Sequence, residues 1–395
     1  MRRFFQLAQA GSLRYVMTMN AGIYIHIPFC RTKCTYCAFN SGDYDPAVGT
    51  EYVAAVCEEI RRSDKTVAGK NVDSIFFGGG TPSILPADQL ISILETCRSS
   101  FHIADDTEIT VEINPGTISP EKVAAYRQAG INRASLGVQS FIDRELQFIG
   151  RIHSAQEARD SVAMLRCGGF ENISIDLIAG LPYQVIDDWR FNIGEAVKLG
   201  THHISVYMLE VHEGTTLFHQ VKRGEVARPD EDLSVKMYYE LIEALEQAGY
   251  EQYEISNFAT DNRYRSRHNI KYWTDVPYYG FGCGAHAFDG NNRCWNIKPP
   301  RQYIESINSN GHAVAEKISI NSQERAQEAA FLGLRLMDGI DLSRFKEHYG
   351  LDIMDRFGSE LDRLFAAGLI KREDDILGLT KTGLALSNEV FSVFV

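Results

Sequence analysis

Six short apolar runs alternate with amphipathic helical stretches between residues 23 and 209, and this pattern rules out most folds. The runs are Ile23–Ile27, Val72–Phe77, Glu108–Ile113, Ala134–Gln139, Ile173–Ile178 and His203–Leu209. Between them, Glu51–Arg62 carries Tyr52, Val56 and Ile60 at helical spacing. Ala87–Cys97, Ser154–Arg166 and Asp187–Leu199 read as helices too. Ser119 is a suitable N-cap with Pro120 in the first helical position, opening a helix that runs to Gly130. Strands separated by helices pair in parallel as βαβ units rather than as hairpins. The predicted class is therefore α/β with barrel-like topology, and eight closed units are the commoner outcome of such a pattern.

Beyond the sixth unit the pattern changes. Asp230–Ala248 reads as one more helix, and Tyr250–Gly290 as an irregular, aromatic, Gly-rich stretch. From about Arg301 a separate unit is predicted, with helices over Ser322–Leu336, Leu342–His348 and Ile353–Ala367. A hairpin-like Leu369–Leu379 and a last helix from Lys381 follow, which suggests a winged-helix-like fold. Acidic Glu373, Asp374 and Asp375 at the wing tip oppose DNA binding and favour a packing or partner module. The expected division is an extension over 1–19, a barrel over 20–250, an irregular segment over 251–300 completing the site, and a C-terminal domain over 301–395. The extension resembles a secretory signal only weakly, because Gln6 and Gln9 break its short apolar part. Met17 and Met19 lie just before the first strand, so residues 1–19 are expected to be dispensable.

Chemistry concentrates after the first strand. It stops at Pro28, and Cys30, Cys34 and Cys37 follow at C-x3-C-x2-C in a polar loop. Closely spaced thiolates hold iron–sulfur clusters. Structural zinc wants four ligands, and no fourth Cys or His lies close behind Cys37. Three ligands on a four-iron cube leave one iron open. The chain has 395 residues, 44% of them hydrophobic, and a net charge of −12, which argues against a general nucleic-acid or anionic-membrane surface. Its eight cysteines are too sparse for a disulfide scaffold, and the trio needs reduced thiolates, so a cytoplasmic setting is expected. No apolar stretch is long enough to span a bilayer.

The cysteine spacing resembles that of the radical S-adenosylmethionine (SAM) superfamily, in which the amino and carboxylate groups of SAM chelate the open iron of a [4Fe–4S] cluster. That resemblance implies an open barrel of six βα units, with its working groups at the C-terminal strand ends. Those ends carry Gly78-Gly79-Gly80-Thr81, Glu112, Gln139 and Asp176, with Arg151 in the loop after the fourth strand. Taken singly, the glycines read as a tight turn, Gln139 as a capped strand end, Arg151 as a surface charge and Asp176 as a buried ion pair.

The ordered set resembles oxygen-independent coproporphyrinogen III oxidase and its relatives from about Tyr24 to Tyr279. By that likeness Tyr24 lies near the cluster, and Gly79 and Glu112 hold the methionine end of SAM. Arg151 would pair with its carboxylate, Gln139 and Asp176 would take the ribose, and Gly80 and Thr81 would line the same pocket or a second SAM site. Two departures point to the haem-chaperone branch of that family. Phe39 stands where the oxidase has a fourth cysteine, and His268-Asn-Ile-Lys-Tyr272-Trp273 matches the branch's H-N-x-x-Y-W motif. The chain is also lean before the first strand, where the oxidase has an extension.

The resemblance implies a haem carrier without coproporphyrinogen oxidase activity, its partners being haem and haem-acceptor proteins, with a homodimer left open. The alternative is the decarboxylating oxidase itself. His268 is the expected haem-iron ligand, with Tyr272 and Trp273 stacking on the porphyrin; the alternative is that His268 and Trp273 pack the barrel's open side and bind nothing. His286, beside Cys283, ranks second, since Gly282 and Gly284 suggest a tight turn first.

Overall fold

A computed structural model describes residues 20–63 and 71–394; the predicted extension at 1–19 lies outside them. The six predicted strands are β1 (Ala21–Ile27), β2 (Val72–Gly79), β3 (Ile103–Ile113), β4 (Arg133–Gln139), β5 (Asn172–Ala179) and β6 (His203–Met208). They lie side by side in chain order, each parallel to the next. The connecting helices are α1 (Pro46–Arg62), α2 (Ala87–Ser100), α3 (Pro120–Gln128), α4 (Ala155–Cys167) and α5 (Ile186–Leu199).

Local chemistry fixes their starts. Asp45 accepts the amides of Ala47 and Val48 ahead of α1, and Ser119 accepts that of Lys122 ahead of α3. Ser154 and Glu157 form a reciprocal capping box on α4. The helices bury one stripe against the sheet: Tyr52, Val56 and Ile60 of α1 are fully covered, as are Ile23, Ile25 and Ile27 of β1. Each such aliphatic side chain contributes about 1.5–3 kcal/mol. The alternate residues, among them Tyr24, Glu112 and Asp176, face the barrel interior.

The stretch expected to be irregular is ordered. After α6 (Glu231–Gln247), β7 (Glu251–Glu254) and β8 (Asn257–Ala259) extend the sheet beyond β6, with β8 antiparallel to it. Helix α7 (Arg267–Trp273) follows, and β9 (Tyr278–Phe281) then docks parallel on the other edge of β1. β10 (His286–Phe288) and β11 (Asn292–Asn296) continue outward. Strands of three to five residues separated by glycines are too short to show a period, so the pattern missed them. Helix α8 (Pro300–Asn310) packs on α1, and β12 (Val314–Ser319) closes the row. The twelve-stranded order is β12-β11-β10-β9-β1-β2-β3-β4-β5-β6-β8-β7, and β6 never pairs with β9, so the barrel is open.

The expected boundary at 301 falls inside this unit. Tyr303, Ile307 and Ala313 belong to the barrel's core, whereas the second core begins at Ala326. That second unit holds α9 (Ser322–Gly333), α10 (Leu342–Tyr349) and α11 (Gly358–Ala366), then the hairpin β13 (Ile370–Glu373) and β14 (Ile376–Leu379). The helix predicted over 353–367 is broken at Phe357. The wing tip turns at Asp374, which has φ +54°.

Helix α7 forms the floor of the barrel. The buried Glu108 carboxylate accepts the amides of Arg267 (3.1 Å) and His268 (3.2 Å) at its N-terminus. Lys271, with its side chain fully covered, pairs with Asp73 at 2.5 Å and donates to the Asn20 carbonyl at 2.8 Å. A buried ammonium needs such partners.

Candidate functional site: the mouth of the open barrel

The loop carrying the three cysteines leaves β1 at the C-terminal mouth and is tied to its surroundings through sulfur and backbone. The Thr81 hydroxyl lies 3.4 Å from Cys30 Sγ, and Arg151 Nη1 lies 3.8 Å from Cys34 Sγ. The Cys37 amide donates to the Cys34 carbonyl at 3.2 Å, and the Thr35 amide to that of Ile149 at 3.1 Å. Burial pushes the Cys37 thiol up from its ordinary value, helped by the nearby Cys34 and Cys30. Phe39, in the fourth-cysteine position of the oxidase, stands 68% exposed.

Glycines let the β2 loop lie on this one. Gly79 has φ +112°, a conformation side chains disfavour, and its amide donates to Glu112 Oε2 at 3.0 Å. A Cβ on Gly80 would sit 2.7 Å from the Phe29 carbonyl oxygen, and the Gly80 amide donates to Ile27 at 2.8 Å. Burial raises Glu112 to about 8, with the charge of Asp176 adding to it. Asp176 is raised for the same first reason, and Ser135 donates to both its oxygens at 3.3 Å. Two carboxyls in one lumen, both reluctant to ionise, form a pocket that favours a cationic or hydroxyl-rich ligand.

Arg151 crosses the mouth. Its Nη2 donates to Asn114 Oδ1 at 2.8 Å and to the Gly137 carbonyl at 2.5 Å, while Nε is buried without a partner. Gln139 holds φ +68°, a costly conformation outside glycine that marks the end of β4 as specially shaped. Sequence reasoning missed Asn114, whose Nδ2 donates to Thr81 at 2.7 Å while its oxygen takes Arg151. Its signal was present: a polar residue between the end of β3 and Pro115. It also missed the pair behind Tyr24. The Tyr24 hydroxyl bonds His26 Nδ1 at 3.0 Å, and His26 Nε2 bonds the Asn40 carbonyl at 2.8 Å.

The unpartnered Nε of Arg151, the glycine-built ledge at Gly79 and Gly80, and the soft sulfur set beside them fit a [4Fe–4S] cluster with SAM on it. Cys30, Cys34 and Cys37 would hold the cluster, which supplies one-electron chemistry when bound.

The structure brings together Tyr24, Gly79, Gly80, Thr81, Glu112, Gln139, Arg151, Asp176 and the three cysteines. The His268 motif lies beneath them on the floor, the His268 ring 6.3 Å from that of Tyr24. His268 is 1% exposed, and both its ring nitrogens are engaged, Nδ1 with Ser74 at 3.0 Å and Nε2 with Tyr272 at 2.9 Å. Burial and Lys271 lower it to about 3. The Arg335 guanidinium covers the Trp273 ring at 4.1 Å. Both nitrogens of His268 are thus engaged by hydroxyls, and the motif ties the barrel floor to the C-terminal unit through Trp273 and Arg335. Arg325–Asp275 (2.7 Å) and Arg293–Glu328 (2.9 Å) reinforce that junction.

Fold and site together define a radical SAM protein, and the Radical SAM superfamily model matches residues 24–191. The HemN C-terminal domain model matches residues 320–386, which agrees with the second core. The heme chaperone HemW of Bacillus subtilis is 37% identical, the match covering 94% of this chain and 98% of that protein. Its namesake in Mycobacterium tuberculosis is 36% identical, over 93% of each chain. A mitochondrial radical S-adenosyl methionine domain-containing protein 1 from Bos taurus is 34% identical, over 93% of this chain and 86% of that one. The chain belongs to the heme chaperone HemW family. Among solved structures, the coproporphyrinogen III oxidase HemN of Escherichia coli superposes with a TM-score of 0.84 at 24% identity, covering 100% of this chain and 93% of that one, a likeness of fold. Membership of the radical SAM superfamily implies SAM and a [4Fe–4S] cluster. Among the described residues no helix is long and apolar enough to cross a membrane.

Proposed function

We propose that this protein carries haem and passes it to acceptor proteins, on a core that binds SAM at a [4Fe–4S] cluster. The observation that carries the core is the convergence at one mouth of the cysteine loop, Gly79, Glu112 and an Arg151 whose Nε has no partner. In this reading Arg151 pairs with the SAM carboxylate, and Glu112 and Gly79 take the amino end. Asp176 and Gln139 take ribose hydroxyls, while Tyr24, Gly80 and Thr81 line the pocket. The carrier role is supported by the relatives named heme chaperones, which match over nearly the whole chain. Phe39 supports it too, because the fourth cysteine of the oxidase is missing. A cytoplasmic setting suits the reduced thiolates.

The test is anaerobic cluster reconstitution followed by parallel assays on the full chain. Stoichiometric haem binding without decarboxylation of coproporphyrinogen III is expected. Alanine at Cys30, Cys34 or Cys37 should abolish the cluster's visible absorbance, and alanine at Cys57, Cys97 or Cys167 should leave it. Turnover of coproporphyrinogen III by the reconstituted protein would overturn the carrier reading in favour of the oxidase.

A further inference from the structure

His26 follows Tyr24 on the same face of β1 and is buried, and it touches three parts of the mouth at once. Its Nδ1 bonds the Tyr24 hydroxyl at 3.0 Å, and its Nε2 bonds the carbonyl of Asn40, at the end of the cysteine loop, at 2.8 Å. The ring also lies against the Gly79 ledge, where a Cβ would come within 2.6 Å of Nδ1. Asn40 in turn donates to the carbonyls of Cys283 (3.2 Å) and Lys298 (2.9 Å). This row of bonds therefore ends at the β9–β10 turn and just past β11, not in the loop itself.

These contacts decide which ring nitrogen carries the hydrogen. A carbonyl oxygen only accepts, so Nε2 is the protonated nitrogen. Burial holds the imidazole below its ordinary histidine value, although the Asn40 carbonyl pulls the other way, so the ring is neutral at pH 7. Nδ1 is then bare, and the Tyr24 hydroxyl must be the donor. The phenolic oxygen keeps its lone pairs, and the half-buried Tyr24 presents them to the lumen. Glu112 stands beside it: a Cβ on Gly78 would sit 3.1 Å from Tyr24 Cε2 and 3.2 Å from Glu112 Oε2. Two acceptors side by side suit an N–H donor and repel a carboxylate. Without His26 the hydroxyl would turn its hydrogen to the lumen, and the same wall would offer a donor.

We infer that His26 is a positioning residue, which orients the Tyr24 hydroxyl so that its oxygen accepts from the amino group of SAM. This rests on the SAM-binding reading and adds to it a residue that touches no ligand. Tyr24 and Glu112 then select the amino end of the methionine moiety, while Arg151 takes its carboxylate.

Nitrogen NMR on the cluster-free full chain reads the tautomer of His26, its signals assigned by their loss in His26→Leu. A protonated Nε2 with a bare Nδ1 is expected; the reverse overturns the proposal. Isothermal titration of the reconstituted chain then compares SAM with an analogue lacking the amino group. His26→Leu and Tyr24→Phe are each expected to bind SAM about tenfold more weakly than wild type. Both should bind the analogue as wild type does, and the double variant should lose no more than either single one. Tyr24→Phe leaves the His26–Asn40 bond in place, so it carries the comparison if His26→Leu fails to hold its cluster. Equal losses for the two ligands, losses that add in the double variant, or unaltered SAM affinity overturn the role of His26 and leave the SAM reading standing. Wild type that binds no SAM overturns both.

Discussion

Replacing Glu112 by Gln should stabilise the ligand-free protein and weaken SAM binding at once. Glu112 titrates at about 8 against an ordinary value of 4.5, because burial and Asp176 penalise its charge. If the folded carboxyl must answer for that difference at pH 7, the cost is about 3 kcal/mol. The side chain faces an open lumen rather than a sealed core, so water and screening reduce this to about 1–2 kcal/mol. The amide is isosteric and its oxygen still accepts the Gly79 N–H. The sign follows from the direction of the shift. A folded pKa above the unfolded one means the native state prefers the proton. Glu112 thus supports stability below about pH 4.5, and that support drains away as pH rises through 8. The gain in Glu112→Gln should therefore be near zero at pH 5 and grow to its maximum by about pH 8. Denaturant unfolding of both proteins at pH 5, 6.5 and 8, without cluster or SAM, reads it directly. Isothermal titration with SAM on the reconstituted forms should show weaker binding by the variant. A variant less stable than wild type at pH 8, or a difference independent of pH, would refute the reasoning.

Two other substitutions test the mouth and the floor. Gly80→Ala forces a methyl to 2.7 Å from the Phe29 carbonyl, so the cysteine loop must shift; cluster absorbance after reconstitution should fall severalfold, at a stability cost of about 1–3 kcal/mol. His268→Ala strands Ser74 and Tyr272 and opens a cavity under the barrel. Thermal unfolding should report a loss of about 2–4 kcal/mol, while haem affinity, measured at a temperature where the variant is folded, should stay at the wild-type level.

The barrel was legible because its signals are local and periodic. Each of the six strands is a run of apolar residues, and Ser119-Pro120 and Ser154 announce helix starts wherever they occur. Cysteine spacing is chemistry written in sequence order, so the trio was legible too. What failed was whatever depends on assembly. β9 has only four residues, and nothing in Tyr278–Phe281 shows that it will pair with β1 from the opposite end of the chain. The bonds of His268 to Ser74 and Tyr272 likewise exist only once β2 and α7 meet, so no sequence pattern could show them. Asn114 was overlooked because a single asparagine before a proline reads as a turn, and its role is visible only with Thr81 and Arg151 on either side.

The placement of β1 between β2 and β9 has a consequence for how the protein is made. The ribosome delivers the cysteine loop early, yet one flank of the strand feeding it is supplied by residues 278–281. A nascent chain halted before that point offers the sulfurs on a strand with one bare edge, open to pairing with whatever β-prone segment is at hand. Loading of the metal centre thus belongs after synthesis of most of the polypeptide, and truncations ending near residue 250 should give colourless, aggregation-prone products although they contain every cysteine of the trio.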